Sequence, residues 1–180
     1  MTKCLASKYS QCGETIPVGT HEGKIIYIGA DHRGFPYKMQ IAAWLERNGY
    51  DVMDVGTHSD ERCDYPKISS KIGKAISSSK THGIVGVGIC GSGTGIIIPA
   101  SKYERVYGAR CMTPKDAEDT RRHNNTNLLG IGADCVDIET AKKIVEVWLT
   151  IPFWDDDPVK NAVYLERYEQ TLKFENLARI

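Results

Sequence analysis

The chain has 180 residues, enough for one domain with a real core, and its 23 basic residues balance its 23 acidic ones. Zero net charge gives no electrostatic ground for binding nucleic acid or a membrane, and no apolar run approaches the ~18 residues of a membrane span. The six cysteines (Cys4, Cys12, Cys63, Cys90, Cys111, Cys135) form no CxxC pair. They read as reduced thiols of a cytoplasmic protein, without a disulfide framework or a zinc site.

Residues 1–23 are polar and lack the apolar stretch of a signal peptide, so they read as an extension outside a main domain at 24–180. From residue 24 onward, strand-like and helix-like segments alternate. Residues 24–30 (KIIYIGA) form a buried strand. A helix follows over 36–48, with Pro36 in its first turn and Asn48-Gly49 ending it. A second strand is expected at 50–55 and a helix at 66–79, with Ile68, Ile72, Ala75 and Ile76 on one face. The third strand, 84–89, is continuous and apolar; a helical pattern covers 96–102. A fourth strand is expected at 106–112, a helix from Thr113-Pro114 to His123, and a fifth strand at 127–132. Helices at 138–149 and 159–177 close the chain. The last carries Val163, Leu165, Tyr168 and Leu172 along it, a stripe suited to packing on a partner subunit or within the chain.

Alternation of this length implies an α/β fold: a five-stranded parallel sheet between helices, a Rossmann-like three-layer sandwich. Ligands of such sheets bind beyond the carboxyl ends of the strands, near the switch in strand order. Two polar clusters fall at such ends, Asp31-His32-Arg33-Gly34 after the first strand and Cys90-Gly91-Ser92-Gly93-Thr94-Gly95 after the third. The second places a thiol, a hydroxyl and three alternating glycines where a strand hands over to a helix. Bare backbone N–H groups gather there and suit an oxygen that becomes negative. The loop fits neither GxGxxG nor GxxxxGK[ST]. Cys90 is a small buried hydrophobe or a reactive thiol. Asp31 and His32 are a helix cap beside a surface histidine, or an acid/base pair for hydroxyl protons. His123, in Arg121-Arg122-His123-Asn124-Asn125, complements a helix dipole or takes part in chemistry. His21, His58 and His82 sit in ordinary loop contexts.

Four spaced motifs carry a resemblance. They are Gly29-Ala30-Asp31-His32-Arg33-Gly34-Phe35, Asp64-Tyr65-Pro66, Ile89 through Ile96 with Lys102, and His123-Asn124-Asn125-Thr126-Asn127. Together they resemble the sugar isomerase family of type B ribose-5-phosphate isomerase and galactose-6-phosphate isomerase, over residues 24–149. The resemblance implies a Rossmann-like dimer, or a tetramer of dimers, that interconverts aldose and ketose through a cis-enediol without metal or cofactor. It makes Cys90 the base that moves the proton between C2 and C1. Ser92 would help a proton pass between O1 and O2. Asp31 and His123 would open the sugar ring, with His123 acting on the partner's Cys90. Gly91, Gly93, Thr94 and Gly95 would hold the enediolate. His32, Tyr65 and Asn124 would contact the sugar. Some relatives use a Glu after the last loop glycine; here that position is Ile96.

The family's phosphate-binding arginines have no counterpart. Their positions hold Asp134, Asp157 and Asn161 (with Pro158 and Ala162 under a one-residue shift). A carboxylate ~4 Å from a phosphate costs about 4 kcal/mol per unit charge pair at an effective dielectric near 20. Asp134, Asp157 and Asn161 are therefore expected to bind a neutral sugar end, and the substrate to be a non-phosphorylated sugar. Three readings stand beside this one. Arg33, Arg122 or Lys160 rebuilds a phosphate site for ribose 5-phosphate, the chain is one subunit of a heteromeric sugar-phosphate isomerase, or Cys90 serves thiol redox chemistry.

Overall fold

The computed structural model describes residues 19–80 and 82–177. A parallel sheet is built from β1 (Ile25–Ala30), β2 (Val52–Asp54), β3 (Ile84–Cys90), β4 (Gly108–Arg110) and β5 (Leu128–Gly132), in the order β2-β1-β3-β5-β4. The helices are α1 (Phe35–Arg47), α2 (Tyr65–Ser78), α3 (Ile97–Ala100), α4 (Pro114–Asn124), α5 (Ile138–Thr150) and α6 (Pro158–Leu177). The expected three-layer α/β architecture is the observed one.

Burial explains the strand lengths. The three central strands are flanked on both sides, and β5 is buried at every position. The outer strands are shorter than their sequence patterns, three residues each, because each has one neighbour and ends where that pairing ends. On one face, Ile41 and Leu45 of α1 join Ala141, Ile144, Val145, Trp148 and Leu149 of α5 over the sheet. On the other, Ile72 and Ile76 of α2 meet Ala100 of α3 and Leu128. Each fully buried aliphatic side chain contributes roughly 1.5–3 kcal/mol, so these two layers dominate the stability.

Two expectations are sharpened. Of the α6 stripe, Leu165 and Tyr168 are buried within the chain against Phe153, Tyr107 and Leu172, whereas Val163 is not. Among its described residues, Val159, Val163 and Phe174 are the large apolar side chains that helix exposes. His21, in the expected extension, is buried: its N–H bonds the Leu149 carbonyl at 2.7 Å and its ring packs on Trp148 at 4.5 Å. The rest of that extension, residues 1–18, and with it Cys4 and Cys12, lies outside the described residues.

The chain builds β1, steps outward to β2, then returns across β1 to add β3 on its other side. The order therefore switches between β1 and β3, and a crevice opens beyond their carboxyl ends.

Candidate active site at the carboxyl ends of β1 and β3

Asp31 leaves β1 and Cys90 ends β3, and the sheet register brings them together: Ala30 pairs with Ile89, and Asp31 N–H bonds the Ile89 carbonyl at 3.1 Å. The cleft above them has a volume of about 280 Å³ and is lined by Asp31, Arg33, Tyr65, Cys90, Gly91, Ser92, Gly95, Asp134 and Cys135. Cys90 is its buried floor, packed on Ile68 and Ile96. Both the bland and the functional readings of this residue describe its surroundings: an apolar pocket below, an open polar cleft above.

Backbone geometry explains the glycines. Gly93 has φ +75°, and a Cβ there would stand 2.7 Å from the Gly132 nitrogen. Only glycine takes this conformation without cost in so narrow a gap. Gly93 N–H donates to Cys90 Sγ at 3.2 Å, and Thr94 N–H donates to Ser92 Oγ at 3.3 Å. Two of the loop amides expected to face an oxyanion are thus directed at the thiol and the hydroxyl, holding both in place. Tyr65, the first residue of α2, lies over Gly95, where a Cβ would meet its ring at 3.0 Å.

Asp31 is not a helix cap but braces the turn before α1: Oδ1 accepts the N–H groups of Arg33 and Gly34, both at 3.0 Å. Its carboxylate also lines the cleft, so the turn that starts α1 fixes an acidic group beside the Cys90 loop. His32 turns away. Its Nδ1 lies 3.2 Å from the Cys63 carbonyl oxygen and 3.4 Å from its nitrogen, and it does not line the cleft.

Asp134 is not a bare carboxylate. The Arg33 guanidinium pairs with it through Nη2, and both groups lie where a Cβ on Gly91 would go. Asp134 N–H also bonds the Gly91 carbonyl at 3.0 Å, tying the β5 loop to the Cys90 loop. A second guanidinium, Arg110, donates from Nε to the Ser92 carbonyl at 2.6 Å and from Nη2 to Cys135 Sγ at 3.4 Å. Nothing in the sequence pattern marks Arg110 or Cys135, whose roles depend on strand neighbours far away in the chain. Arg33 was visible beside Asp31 and His32, but its pairing with Asp134 was not.

Asp157 and Asn161 do not join the cleft. Asp157 caps α6, accepting the N–H of Val159 at 2.9 Å. Asn161 is buried, and its amide bridges Asp155, accepting from the backbone nitrogen at 2.7 Å and donating to the carbonyl at 2.6 Å. Both of its polar ends are occupied, so it braces the loop before α6.

His123 and Asn124 also lie elsewhere. They line a separate pocket with Tyr107, Thr120, Arg167 and Tyr168, and the His123 ring stacks on Tyr164 at 4.7 Å. They sit just before β5 starts, whereas Cys90 pairs with Gly132 at its end. The strand length alone separates these levels by about 13 Å. Of the other arginines weighed above, Arg122 is held by Glu118 at 2.9 Å and the Trp154 carbonyl at 2.6 Å. Lys160 is an exposed residue in the first turn of α6.

Comparison with known proteins agrees with the fold and the motifs. The ribose/galactose isomerase family model matches residues 26–163. Ribose-5-phosphate isomerase B of Escherichia coli is 42% identical over 126 residues, 70% of this chain and 83% of that protein. The structure of Clostridium thermocellum ribose-5-phosphate isomerase B superposes with a TM-score of 0.77 at 34% identity, covering 86% of this chain and 99% of that one. Ribose-5-phosphate isomerase B from Mycoplasma genitalium with bound ribulose-5-phosphate gives 0.77 at 26% identity, covering 84% and 96%.

Proposed function

We propose, for a chain that belongs to the ribose/galactose isomerase family and is an aldose–ketose isomerase, that its substrate is a five-carbon sugar phosphate held at a relocated phosphate site. The observation that carries this reading is the Arg33–Asp134 pair beside Cys90. The case for a neutral sugar end rested on the repulsion between Asp134 and phosphate. A guanidinium in contact with that carboxylate cancels the repulsion to first order. Asp157 and Asn161, the other two residues of that case, are committed to the backbone. The relatives, named for ribose 5-phosphate, favour the phosphorylated alternative over the neutral one.

In this reading Cys90 Sγ takes the proton from C2 of the open-chain aldose and returns it to C1. Ser92 Oγ passes a proton between O1 and O2, and the Cys90 loop supports the enediolate oxygen. Asp31 serves ring opening from its place in the braced turn. The phosphate meets the guanidinium groups of Arg33 and Arg110, whose planar donors suit it. Tyr65 closes one wall. A second copy of the chain supplies His123 and Asn124, because within one chain they lie at the other end of the sheet.

The test is deuterium entry at C1 or C2 in D2O, with the purified homomer and a panel of free and phosphorylated pentoses, hexoses and tetroses. Exchange with ribose 5-phosphate and competitive inhibition by millimolar inorganic phosphate are expected. Exchange confined to free sugars would overturn the phosphate reading. No exchange with any sugar would overturn the homomer and favour a two-chain enzyme.

A further inference from the structure

Arg110 ends β4, two strands away from Cys90, yet its side chain reaches the loop that holds the thiol. The register explains how. Arg110 pairs with Gly130, Gly130 pairs with Gly88, and two residues on, Gly132 pairs with Cys90. Paired residues of neighbouring parallel strands point to the same face, and so do residues two apart. On that face β5, the strand between Arg110 and Cys90, carries only Gly130 and Gly132. With no side chain in the way, the guanidinium crosses β5 and donates from Nε to the Ser92 carbonyl at 2.6 Å.

The Ser92–Gly93 peptide is also the group that touches the thiol. Its carbonyl accepts from Arg110, and its N–H donates to Cys90 Sγ at 3.2 Å. The peptide is trans, so its C=O and N–H point in opposite directions. Guanidinium, C=O, N–H and Sγ thus form one connected chain. Close packing keeps the peptide there. A Cβ on Gly132 would stand 2.8 Å from the Ser92 carbonyl carbon and oxygen, so the loop lies directly on the end of β5.

Hydrogen bonds in such a chain polarise one another. A positive charge at the carbonyl oxygen draws electron density from the peptide nitrogen and makes its N–H a stronger donor. The acceptor is a sulfur that needs one. Cys90 rests on Ile68 and Ile96, an apolar floor that offers a thiolate no solvation. A hydrogen bond to an ionised acceptor is about twice as strong as one to a neutral acceptor, so the chain favours thiolate over thiol. The Arg33 charge is already matched by Asp134. Asp116 feels the Arg110 charge, but its carboxylate is held by the N–H groups of Met112 at 2.9 Å and Thr113 at 3.0 Å. Arg110 Nη2 adds the contact to Cys135 Sγ at 3.4 Å, and its other donors are left for the phosphate.

We propose that Arg110 is a positioning residue for the base: its charge, passed through the Ser92–Gly93 peptide, stabilises the Cys90 thiolate that takes the substrate proton. This rests on the reading of Cys90 as the proton carrier. Arg110 then serves the reacting carbons through the peptide, besides meeting the phosphate directly.

The first test uses no sugar. The purified enzyme is treated with iodoacetamide, a neutral reagent that reacts with thiolate, at about pH 7. Mass spectrometry of the Cys90 peptide follows its labelling separately from that of Cys63 and Cys135. Arg110→Met should slow Cys90 labelling about tenfold, as expected for loss of a hydrogen bond to a charged group. Arg110→Lys keeps a charge and should label within about threefold of wild type. Arg110→Gln offers a neutral donor and should stay near Arg110→Met. With ribose 5-phosphate, kcat should follow the same order, whereas loss of a phosphate contact alone would raise KM and leave labelling unchanged. Equal labelling of wild type and Arg110→Met, or of Arg110→Lys and Arg110→Gln, would overturn the proposal. Failure to turn over ribose 5-phosphate would overturn the substrate assignment and leave the labelling result standing.

Discussion

The two ends of this sheet treat charge in opposite ways. At the carboxyl end the charged groups are matched and open to water: Arg33 meets Asp134 in the cleft, with side chains 58% and 46% exposed. At the amino end Arg121 and His21 are buried and bonded to neutral acceptors, with Lys24 half-buried beside them. A group that must meet a changing substrate is best kept in a medium that can rearrange around it. A buried cation is tolerable where fixed acceptors surround it, as the Ile151, Thr126 and Gly19 carbonyls and Asn125 Oδ1 surround Arg121. The carboxyl end therefore reads as the place of turnover and the amino end as a place of fixed structure, although the amino end also displays His123.

The sharpest way to break this contrast is at Cys90. Cys90→Ala should lower turnover by about 10³-fold or more, as expected for loss of a positioned proton carrier. Its unfolding midpoint should change little, because the sulfur touches few atoms beyond Ile68, Ile96 and the loop. Kinetics and a melting curve on the same sample check this. A variant that keeps wild-type turnover would remove Cys90 from the chemistry and leave the cleft without a base.

Next comes the division of labour between copies. Cys90→Ala and His123→Ala should each be nearly inactive alone. Mixed, dissociated and reassociated, they should regain about a quarter of wild-type activity: half of random dimers are mixed, and each carries one intact site of two. No recovery would mean that one chain does not borrow His123 from another.

Arg33→Met is the smaller perturbation of the carboxyl end. It removes the guanidinium and leaves Asp134 unpaired beside the substrate. KM for a sugar phosphate should rise about 10–100-fold, the worth of a charged hydrogen-bonding group. Turnover of any free sugar should stay as it was. An equal effect on free and phosphorylated sugars would show that Arg33 shapes the Cys90 loop and does not meet phosphate.

What the sequence disclosed follows from how local each feature is. The β1 and β3 strands are continuous apolar runs, and the turn after each is marked by its own residues, so Asp31, Cys90 and Gly93 were legible. So was the start of α4, where Thr113 and Asp116 form a reciprocal cap. Pairings across the fold were not. Arg33 and Asp134 leave different strands and meet only because β3 and its loop lie between them. His21 has its partners in Thr126, Leu149 and Trp148, and no spacing rule links a histidine to a tryptophan on the last sheet-covering helix. Asn161 resembles a sugar-binding amide until its partner, Asp155, is seen. The strands β2 and β4 were read too long because hydrophobic pattern does not reveal which strand is an edge.

The smallest expected effect sharpens the amino end. Lys24 titrates near 8 in the folded chain against 10.5 in an unfolded one. Below pH 8 both states carry the proton, and the cost of burying the charge is fully present. Between pH 8 and 10.5 the unfolded chain holds a proton that the folded chain gives up. Stability therefore rises with pH across that window, with a slope of at most about 1.4 kcal/mol per unit. Cys111, pushed up to about 12 by burial, acts in the opposite direction, but it is common to wild type and Lys24→Met and cancels in their difference. Wild type should gain on the order of 1 kcal/mol relative to Lys24→Met from pH 8 to 10, measured by urea unfolding. A flat difference would mean that Lys24 lies in water, and that the contrast between the two ends is one of shape and not of charge.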